Sequence, residues 1–527
     1  MEFHLSFSTI VATSFSVIVA LFLLHSLNRK KANRGKNQKP PQAQGAWPII
    51  GHLHLLRGSQ LPHYVLGDMA DKYGPIFTIK LGYHQALVVS NGSIAKECFT
   101  TNDKAFATRP KAEATKLMGY NYAMFGFATY GDYWRQARKM ITLEVLSQRR
   151  VETFAHIRAS EVRVSIKDIY DRWVLNKMSE NSEMMKIEMS QWFGNLVVNI
   201  MVRIIRGKTF SPHDDQERVR FQTVVKKFIE LMGAFVVSDF IPYLKCFDMG
   251  GYIKEMKKMA IDLDNIFGGW LQEHKTIKSF TQQHESNQLG FIDVLISILQ
   301  GVSKEEFRDF DDDTIIKSAC KQLLIAGLDT TSGTLTWALS LLLNHPKTLE
   351  IAQNEIDEHV GRERLVEESD LKNLVYLNAI IKETLRLYTA APLSIPHESI
   401  EDCIVGGYNI PKGTRLVVNV YKMHRDPNIW SDPLEFRPER FLTRHKDIDF
   451  RGKHYELLPF GSGRRMCPGI PFALQAVGLT LASFIQQFVL KNPSNEPIDM
   501  SETSGLTISK STPLEVLLAP RLASNMY

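Results

Sequence analysis

The 527-residue chain is poor in cysteine, and its few cysteines have no regular spacing. Their number is odd, and no C-x-x-C pair occurs. The sequence therefore does not support a disulfide framework or a C-x-x-C zinc or redox site. Scattered, unpaired cysteines are typical of a reducing compartment. They are Cys98, Cys246, Cys320, Cys403 and Cys467.

The body of the chain also lacks an excess of charge. The formal net charge is +6. Six basic residues and no acid lie between Arg29 and Lys39, so 6 − 6 leaves zero for the rest. A near-neutral body has no broad basic face for a phosphate backbone, which argues against nucleic-acid binding.

Low-complexity tracts and internal repeats are absent from the sequence, and no second linker follows residue 51. The composition, 44% hydrophobic and 23% charged, is typical of a globular protein with ample core material. We therefore predict one large domain over residues 52–527.

Helical periodicity dominates this domain, and short strand patterns are fewer. The predicted fold is mainly α with small peripheral β-sheets. Apolar residues at three- and four-residue spacing predict helices over 133–160, 218–233, 252–275, 312–344, 346–360 and 369–387, and strand patterns occur at 77–81, 86–89, 415–419 and 514–518.

An apolar segment precedes the domain. Leu5 to Leu27 contains no Asp, Glu, Lys or Arg. As a helix it reaches about 30 Å, enough to cross the hydrocarbon core of a bilayer. A cleaved signal peptide is the alternative, but no basic residue precedes the segment and the positive charge follows it. We predict a membrane anchor at residues 1–28, with the domain on the cytosolic side. Five hydroxyl residues in its first half leave a tilted or interfacial helix open.

Residues 29–51 follow the apolar segment and combine the basic run with prolines. Pro40, Pro41 and Pro48 favour a stiff, extended tether over a helix. This segment is predicted to be a basic, proline-rich hinge that sets how the domain lies on the membrane.

One cysteine lies in a glycine-rich loop, residues 460–469, before a long apolar helical pattern at 472–489. A soft thiolate such as that of Cys467 is a good axial ligand for haem iron. Backbone N–H groups of the turn and the positive end of the next helix could stabilise it. Gly463 and Gly469 allow the backbone to approach a flat cofactor. The alternative from these residues alone is a buried thiol at a helix start.

The loop matches F-x-x-G-x-R-x-C-x-G and so resembles the haem-binding signature of the cytochrome P450 superfamily. Glu383 to Arg386 resembles the E-x-x-R motif of that family, and residues 438–441 resemble its P-E-R-F motif. The resemblance implies the cytochrome P450 fold, and a buried structural cluster of Glu383, Arg386 and Arg440. Breaking such a cluster costs about 3–5 kcal/mol.

The resemblance also implies haem b as cofactor, with Cys467 as the metal ligand. Trp134 and Arg138 resemble the family's W-x-x-x-R pair, which reaches a haem carboxylate. His397 occupies a position with the same implied role, and its alternative is a purely structural hydrogen bond. The implied cofactor-binding residues are Cys467, Trp134, Arg138, His397, Phe460 and Arg465.

Residues 326–331 place an acid and two hydroxyls within a long apolar helical pattern. The segment resembles the family's A-G-x-D/E-T motif. The resemblance implies that Thr330 orients hydrogen bonds at dioxygen and that Asp329 relays protons, which is general acid catalysis through water. Gly327 weakens the helix, so we expect a local distortion there. A solvent-facing acid beside a threonine-induced bend is the alternative.

Several short segments of the sequence resemble family 82 of the plant cytochromes P450. They lie at residues 291–295, 366–370 and 396–403 and in the cysteine loop. The resemblance implies a haem-thiolate monooxygenase that hydroxylates a hydrophobic plant specialised metabolite, a terpenoid or flavonoid-like scaffold. An alkaloid oxidase or N- or O-demethylase of the same family is the alternative. The range of family substrates prevents naming one.

The segment 120–127 is aromatic-rich, and in this family the corresponding segment lies over the haem. Small and aliphatic residues elsewhere add walls that suit a rigid hydrophobic polycycle. The predicted substrate pocket comprises Tyr120, Phe125, Phe127, Ala326, Ala391, Leu393, Ile395, Leu506 and Thr507.

The glycine patterns do not form a dinucleotide-binding fold, so electrons must come from a partner. The resemblance implies NADPH–cytochrome P450 reductase, with cytochrome b5 as a second donor, at the endoplasmic reticulum membrane. The expected binding partners are thus these two proteins, membrane lipid and a small hydrophobic substrate. Two further interpretations are a reductase-independent isomerase or dehydratase and a non-catalytic haem-binding membrane protein. The presence of both Asp329 and Thr330 favours the monooxygenase.

Overall fold

A computed structural model describes residues 38–180, 182–210, 215–245, 247–280, 290–303, 305, 307–494 and 496–527. The predicted anchor and the first part of the hinge lie outside these residues. The α-helices are α1 Leu53–Leu56, α2 Pro62–Tyr73, α3 Gly92–Phe99, α4 Glu113–Leu117, α5 Asp132–Met140, α6 Gln148–Thr153, α7 Ala155–Glu180, α8 Met189–Arg206, α9 Asp215–Met232, α10 Tyr252–Phe280, α11 Phe291–Gln300, α12 Asp312–Asn344, α13 Pro346–His359, α14 Val375–Leu387, α15 Val420–Met423 and α16 Ile470–Gln487. The strands are β1 Ile76–Leu81, β2 His84–Val89, β3 Met185–Glu188, β4 His397–Glu398, β5 Cys403–Val405, β6 Tyr408–Ile410, β7 Arg415–Val418, β8 Phe488–Lys491, β9 Glu502–Ser504, β10 Ile508–Lys510 and β11 Glu515–Pro520.

Helix α12 is the central element of the helical core. Its 33 residues span about 50 Å. Asp311 caps its N-terminus by accepting a hydrogen bond from the Thr314 N–H, and two acids follow in the first turn, where the helix dipole favours negative charge. Helices α8 and α16 pack against α12 within the main hydrophobic core. This helix and α16 hold the two sides of the cavity described below.

The described part of the chain contains four small sheets beside the helices. The largest has the order β1-β2-β7-β4, in which β2 and β7 are parallel and the other pairs are antiparallel. A three-stranded antiparallel sheet joins β3, β11 and β8, and two hairpins pair β5 with β6 and β9 with β10. The prediction of a mainly α fold with small sheets is confirmed.

The described part of the predicted hinge, residues 38–51, packs against the edge of the largest sheet. The Ala43 N–H donates to the Thr78 carbonyl at 2.9 Å, and the Thr78 N–H donates to the Pro41 carbonyl at 2.8 Å. The His52 N–H donates to the Lys80 carbonyl at 2.7 Å. These bonds attach the segment to the domain, while the boundary at residue 51 stays a prediction.

The prediction of one helix over 133–160 is wrong. Helix α5 continues into a π-helical turn, Ile141–Val145, and two further helices follow after short breaks. Leu146, at the break, lines the central cavity. The apolar periodicity hides the break because the flanking segments bury similar stripes in the same core.

A buried ion cluster fixes the C-terminal end of α14. The Glu383 carboxylate accepts from the Arg386 Nε at 2.7 Å and Nη2 at 2.8 Å, and from the Arg440 Nε at 2.9 Å. A fourth bond comes from the backbone N–H of Arg437 at 2.9 Å. Glu383 and Arg386 are fully buried. The cluster thus ties α14 to the turn at 437–441.

A histidine connects this cluster to the segment that leads into the cysteine loop. The His424 Nδ1 donates to the Arg386 carbonyl at 3.1 Å, while its Nε2 accepts from the Leu458 N–H at 2.8 Å. Burial lowers the pKa of His424 to about 3, so the ring is neutral and its tautomer is fixed by these two partners. The position of residue 458 thereby depends on the ion cluster.

Within the described residues, α16 is the one helix long and apolar enough to span a bilayer. Buried positions make up 72% of its apolar window. Its apolar composition is therefore explained by its burial as a core helix.

Candidate active site around Cys467

Cys467 lies at the end of a glycine-rich loop that leads into α16. The Cys467 N–H donates to the Phe460 carbonyl at 3.0 Å, which closes the loop. Gly463 has φ +69°, and a Cβ there would lie 2.5 Å from Asp103 Oδ1 and 2.9 Å from the Phe99 carbonyl oxygen. Only glycine fits this turn without displacing α3 or the segment after it.

Cys467 is partly buried and lines a cavity, and its sulfur accepts a hydrogen bond from the Gly469 N–H at 3.4 Å. Burial raises the pKa of the Cys467 thiol, whereas the Gly469 N–H and the Arg138 cation lower it. The protein groups alone therefore favour the neutral thiol. A bound metal ion deprotonates a coordinating thiol, so this environment fits a metal-ligating cysteine.

A cavity lies in front of Cys467. The cysteine loop forms one side, with Phe460, Pro468 and Gly469. Helix α12 forms the opposite side, with Ala326 and Thr330. Of the predicted site residues, the structure brings to this cavity Cys467, Trp134, Arg138, His397, Phe460, Arg465, Thr330, Phe125, Ala326, Ala391 and Ile395.

Three guanidinium groups line the same cavity. Arg109 donates to the Ile395 carbonyl at 2.6 Å, Arg138 to the Met466 carbonyl at 2.6 Å, and Arg465 to the Ala128 carbonyl at 2.6 Å. None forms an ion pair with a carboxylate of the described residues. Burial lowers the pKa of Arg109 to about 9 and that of Arg465 to about 8, the latter also through the other two cations. An unpaired cluster of cations fits an anionic group with carboxylates, such as haem.

His397 and Trp134 complete this side of the cavity. The His397 Nδ1 donates to the Phe106 carbonyl at 2.8 Å, so the structural hydrogen bond considered from the sequence is present. Burial and the nearby Arg109 and Arg465 hold the pKa of His397 well below its usual range. The Arg465 guanidinium lies 4.2 Å above the Trp134 ring, a cation–π contact that orients both groups.

Helix α12 remains α-helical through residues 326–331, so the expected distortion is absent. The Thr330 hydroxyl donates to the Ala326 carbonyl at 2.7 Å, within the helix. Gly327 instead permits a close helix contact, because a Cβ there would lie 2.9 Å from the Met201 sulfur of α8. The Thr331 hydroxyl is buried beside the cavity without a hydrogen-bond partner among the described residues.

Asp329 does not line the cavity. Its Oδ2 accepts a hydrogen bond of 2.5 Å from the Thr507 hydroxyl, which comes from the loop between β9 and β10. Burial raises the pKa of the Asp329 carboxyl, and the Thr507 hydrogen bond partly opposes this shift. The acid is thus held one residue away from Thr330, in an environment that favours its protonated form.

The family model described as Cytochrome P450 matches residues 40–518. The chain belongs to the cytochrome P450 family.

Full-length plant relatives agree with this assignment. Strychnine-10-hydroxylase of Strychnos nux-vomica is 48% identical over 536 residues, which covers 100% of both chains. Xanthotoxin 5-hydroxylase of Arabidopsis thaliana is 47% identical, and the match covers 99% of this chain and 99% of the relative. Cytochrome P450 82A1 of Pisum sativum is 46% identical, and the match covers 99% of this chain and 98% of the relative. A zebrafish cytochrome P450 structure with progesterone has a TM-score of 0.72 at 25% identity, covering 88% of this chain and 100% of that one.

These findings confirm the predicted family, its likeness to family 82, the fold and the monooxygenase class. Membership of the cytochrome P450 family implies haem iron, redox partners and a small substrate, and relatives of this kind are microsomal. The arginine cluster, the cavity-lining thiol and the glycine turn of this cytochrome P450 fit that cofactor.

Five of the predicted pocket residues do not line the cavity of this cytochrome P450, which corrects the prediction. The Tyr120 hydroxyl donates to Asp264 at 2.7 Å, and Lys321 lies 3.8 Å above its ring. Thr507 is engaged with Asp329. Phe127 and Leu506 pack against the main core and Leu393 against the core beneath the largest sheet.

Among the polar residues of the cavity that sequence reasoning missed are Arg109 and Gln322. Arg109 is 6% exposed and Gln322 is 7% exposed. A lone arginine after the apolar run 105–107 was a usable signal, because an arginine is rarely buried without an anionic partner. Gln322 had no distinguishing pattern, since a single polar residue is common in a long helix.

Proposed function

We propose that this cytochrome P450 hydroxylates a neutral, hydrophobic plant specialised metabolite, with O2 and with electrons from NADPH delivered by a membrane-bound reductase. The observation that carries the proposal is the Cys467 loop facing Thr330 of α12 across a largely apolar cavity. Among the described residues, no Asp or Glu lines that cavity. A substrate held there is therefore recognised mainly by shape and apolar contact, and not by pairing with a carboxylate.

In this proposal the cavity between the cysteine loop and α12 would hold haem, and Cys467 would be the residue that ligates its iron. Arg109, Arg138 and Arg465 would hold the haem carboxylates, and Trp134 and His397 line the same cavity. When bound, haem supplies the activation of dioxygen and the oxidation of a substrate C–H bond. The chain supplies the ligand, the counter-charges and a site from which bulk water is excluded.

Proton delivery is the part of the reaction that the chain itself performs. The Thr330 hydroxyl can exchange its helical bond to the Ala326 carbonyl for a bond toward the cavity. Asp329, held by Thr507, supplies the proton through water to that hydroxyl. Burial raises the pKa of this carboxyl, which makes it a weaker acid than an exposed aspartate, and the Thr507 hydrogen bond opposes that shift.

The substrate class follows from the cavity and from the relatives. A protonated amine has no carboxylate to pair with in the lining, which favours a neutral terpenoid or flavonoid-like scaffold. A relative from Ocimum basilicum is named flavonoid-6-hydroxylase. The alternative, oxidation or demethylation of an alkaloid, is favoured by the strychnine-10-hydroxylase relative and requires the amine to bind uncharged.

An exposed apolar surface supports attachment to the endoplasmic reticulum membrane. Trp47, Ile49, Tyr83, Tyr243 and Phe247 are all at least 60% exposed. Their segments are joined, because the Gly82 N–H donates to the Ile50 carbonyl and the Tyr83 N–H to the Phe240 carbonyl. We propose that this face rests on lipid beside the predicted anchor, with the catalytic domain cytosolic.

The test is co-expression of the full chain with a plant NADPH–cytochrome P450 reductase in microsomes, with or without cytochrome b5. Terpenoid, flavonoid and alkaloid panels are then analysed by mass spectrometry. We expect a product one oxygen heavier that requires NADPH and reductase. Product formed without reductase would indicate an isomerase or dehydratase, and CO binding without any product would indicate a haem-binding protein. Either result would contradict the proposed function.

A further inference from the structure

The cavity contains one carboxamide among its lining residues, that of Gln322. The residue lies on α12 and is 7% exposed, so its polar atoms are shielded from bulk water. A buried polar group without a partner is costly. The hydrogen bonds of this side chain are therefore informative about what the cavity binds.

One half of the carboxamide is occupied by the protein. The Gln322 Oε1 accepts from the Gly126 N–H at 3.2 Å. The carbonyl of the same glycine accepts from the Arg109 Nε at 3.3 Å, so this peptide is held from both sides. Because a backbone N–H only donates, the contact assigns oxygen to one terminal atom and nitrogen to the other.

Gly126 also fixes the position of the carboxamide. A Cβ on this glycine would lie 2.7 Å from Gln322 Oε1, 2.9 Å from Cδ and 3.1 Å from Nε2. The flat amide therefore packs directly against the glycine Cα, in a space that any other residue would fill. Gly126 and Gln322 act as one unit that sets the direction of the remaining amide atom.

The other half of the carboxamide, Nε2 with two N–H donors, has no hydrogen-bond acceptor within the part of the chain that the structure describes. Its neighbours in the lining, Leu323 and Phe125, offer only apolar side chains. The cavity thus presents a fixed donor beside apolar side chains, with Arg109 on the other side of the Gly126 peptide, and a donor fixed in this way recognises an acceptor oxygen on a ligand.

We propose that Gln322 is a specificity-determining residue that binds a carbonyl oxygen of the substrate through Nε2. Eight residues separate it from Thr330, about 12 Å along an α-helix. The recognised oxygen and the oxidised carbon accordingly lie toward opposite ends of a rigid polycycle. This inference rests on the proposed function, because it assumes that the molecule bound in the cavity is the substrate.

The test uses matched ligands that differ by one carbonyl: xanthone with xanthene, and fluorenone with fluorene. Binding to the full-length haem-loaded protein is measured from ligand-induced difference spectra, which need neither reductase nor turnover. We expect the wild type to bind at least one ketone about 3- to 10-fold more tightly than its partner, the gain typical of one neutral hydrogen bond.

Gln322→Met and Gln322→Leu keep the approximate volume and remove the donor, so both are expected to reduce that ratio to about one. Leu323→Met is the matched control, because it changes an adjacent lining residue without changing a hydrogen bond, and it should keep the ratio. A role limited to bracing Gly126 would weaken binding of both members of a pair equally and leave their ratio unchanged.

No ketone preference in the wild type, or a preference that persists in Gln322→Met, overturns the inference. The proposed function fails separately, through the absence of reductase-dependent product. A protein that prefers a ketone through Gln322 but oxidises nothing would retain the inference about binding and contradict only the proposed reaction.

Discussion

Replacing Glu383 with Gln should destabilise the protein strongly while changing its size very little. The carboxylate of Glu383 accepts four hydrogen bonds, from Arg386, Arg440 and the backbone of Arg437. An amide retains one acceptor oxygen and places an N–H₂ group against a guanidinium. Arg386 is fully buried and Arg440 is 4% exposed, so both cations lose their counter-charge away from water.

Leaving buried charge uncompensated costs about 3–5 kcal/mol in the free energy of unfolding. The assay is urea-induced loss of the CO-bound Soret band, which reports the folded haem site, with far-ultraviolet circular dichroism in parallel. Asp171→Asn is the matched control, because its ion pair with Lys167 is more than half exposed at both side chains and contributes about 0–1 kcal/mol.

The cluster is coupled to the cysteine loop through His424 and Leu458. The haem signal of Glu383→Gln should therefore disappear at lower urea than the helical signal does. Unfolding of this variant within 1 kcal/mol of the wild type, as for the Asp171→Asn control, would refute the idea that the buried charges depend on Glu383.

Three further changes test the site. Thr330→Ala should retain haem but release more peroxide per NADPH, and normal product per NADPH would remove Thr330 from proton delivery. Thr507→Val removes a hydrogen bond that lowers the pKa of Asp329. The pH above which the yield of product per NADPH falls should therefore move upward, whereas Thr507→Ser, which keeps the hydroxyl, should behave as the wild type. Identical pH profiles for Thr507→Val and the wild type would contradict this role. Gly463→Ala introduces a Cβ that would lie 2.5 Å from an Asp103 oxygen, at a residue whose φ is +69°. Haem incorporation should therefore fall sharply. Normal haem content would show that the turn can relax.

Long, strongly periodic segments could be predicted from the sequence. The helix predicted over 312–344 has those bounds in the structure, and 346–360 and 218–233 differ by a few residues at their ends. Helix α8 was not predicted, although it packs against α12 and is buried along most of its length. Its polar residues Gln191, Asn195, Asn199 and Arg203 recur every four positions, so the helical period is present in the sequence and the segment was overlooked.

The cysteine loop was predictable because its motif is local, and the ion cluster because the family resemblance supplied both of its segments, Glu383 to Arg386 and residues 438–441. Arg109, Gln322 and the partner of Asp329 were not, because distant segments bring them to the site. The bond between Gly126 and Gln322 spans 196 residues, and the bond between Thr507 and Asp329 spans 178. Whether a side chain points into the cavity or past it depends on packing across such distances. The prediction of Thr507 as a pocket wall could not take that packing into account.

The iron ligand is the central claim, and it is tested most directly by the CO-difference spectrum of Cys467→His beside the wild type. We predict a thiolate-type, red-shifted Soret band in the wild type. The histidine variant should keep haem but show the band of a nitrogen-ligated iron. Cys403→Ser, a control at a partly buried cysteine of strand β5, should keep the wild-type band. A thiolate-type band in Cys467→His, or its loss in Cys403→Ser, would contradict the assignment of Cys467.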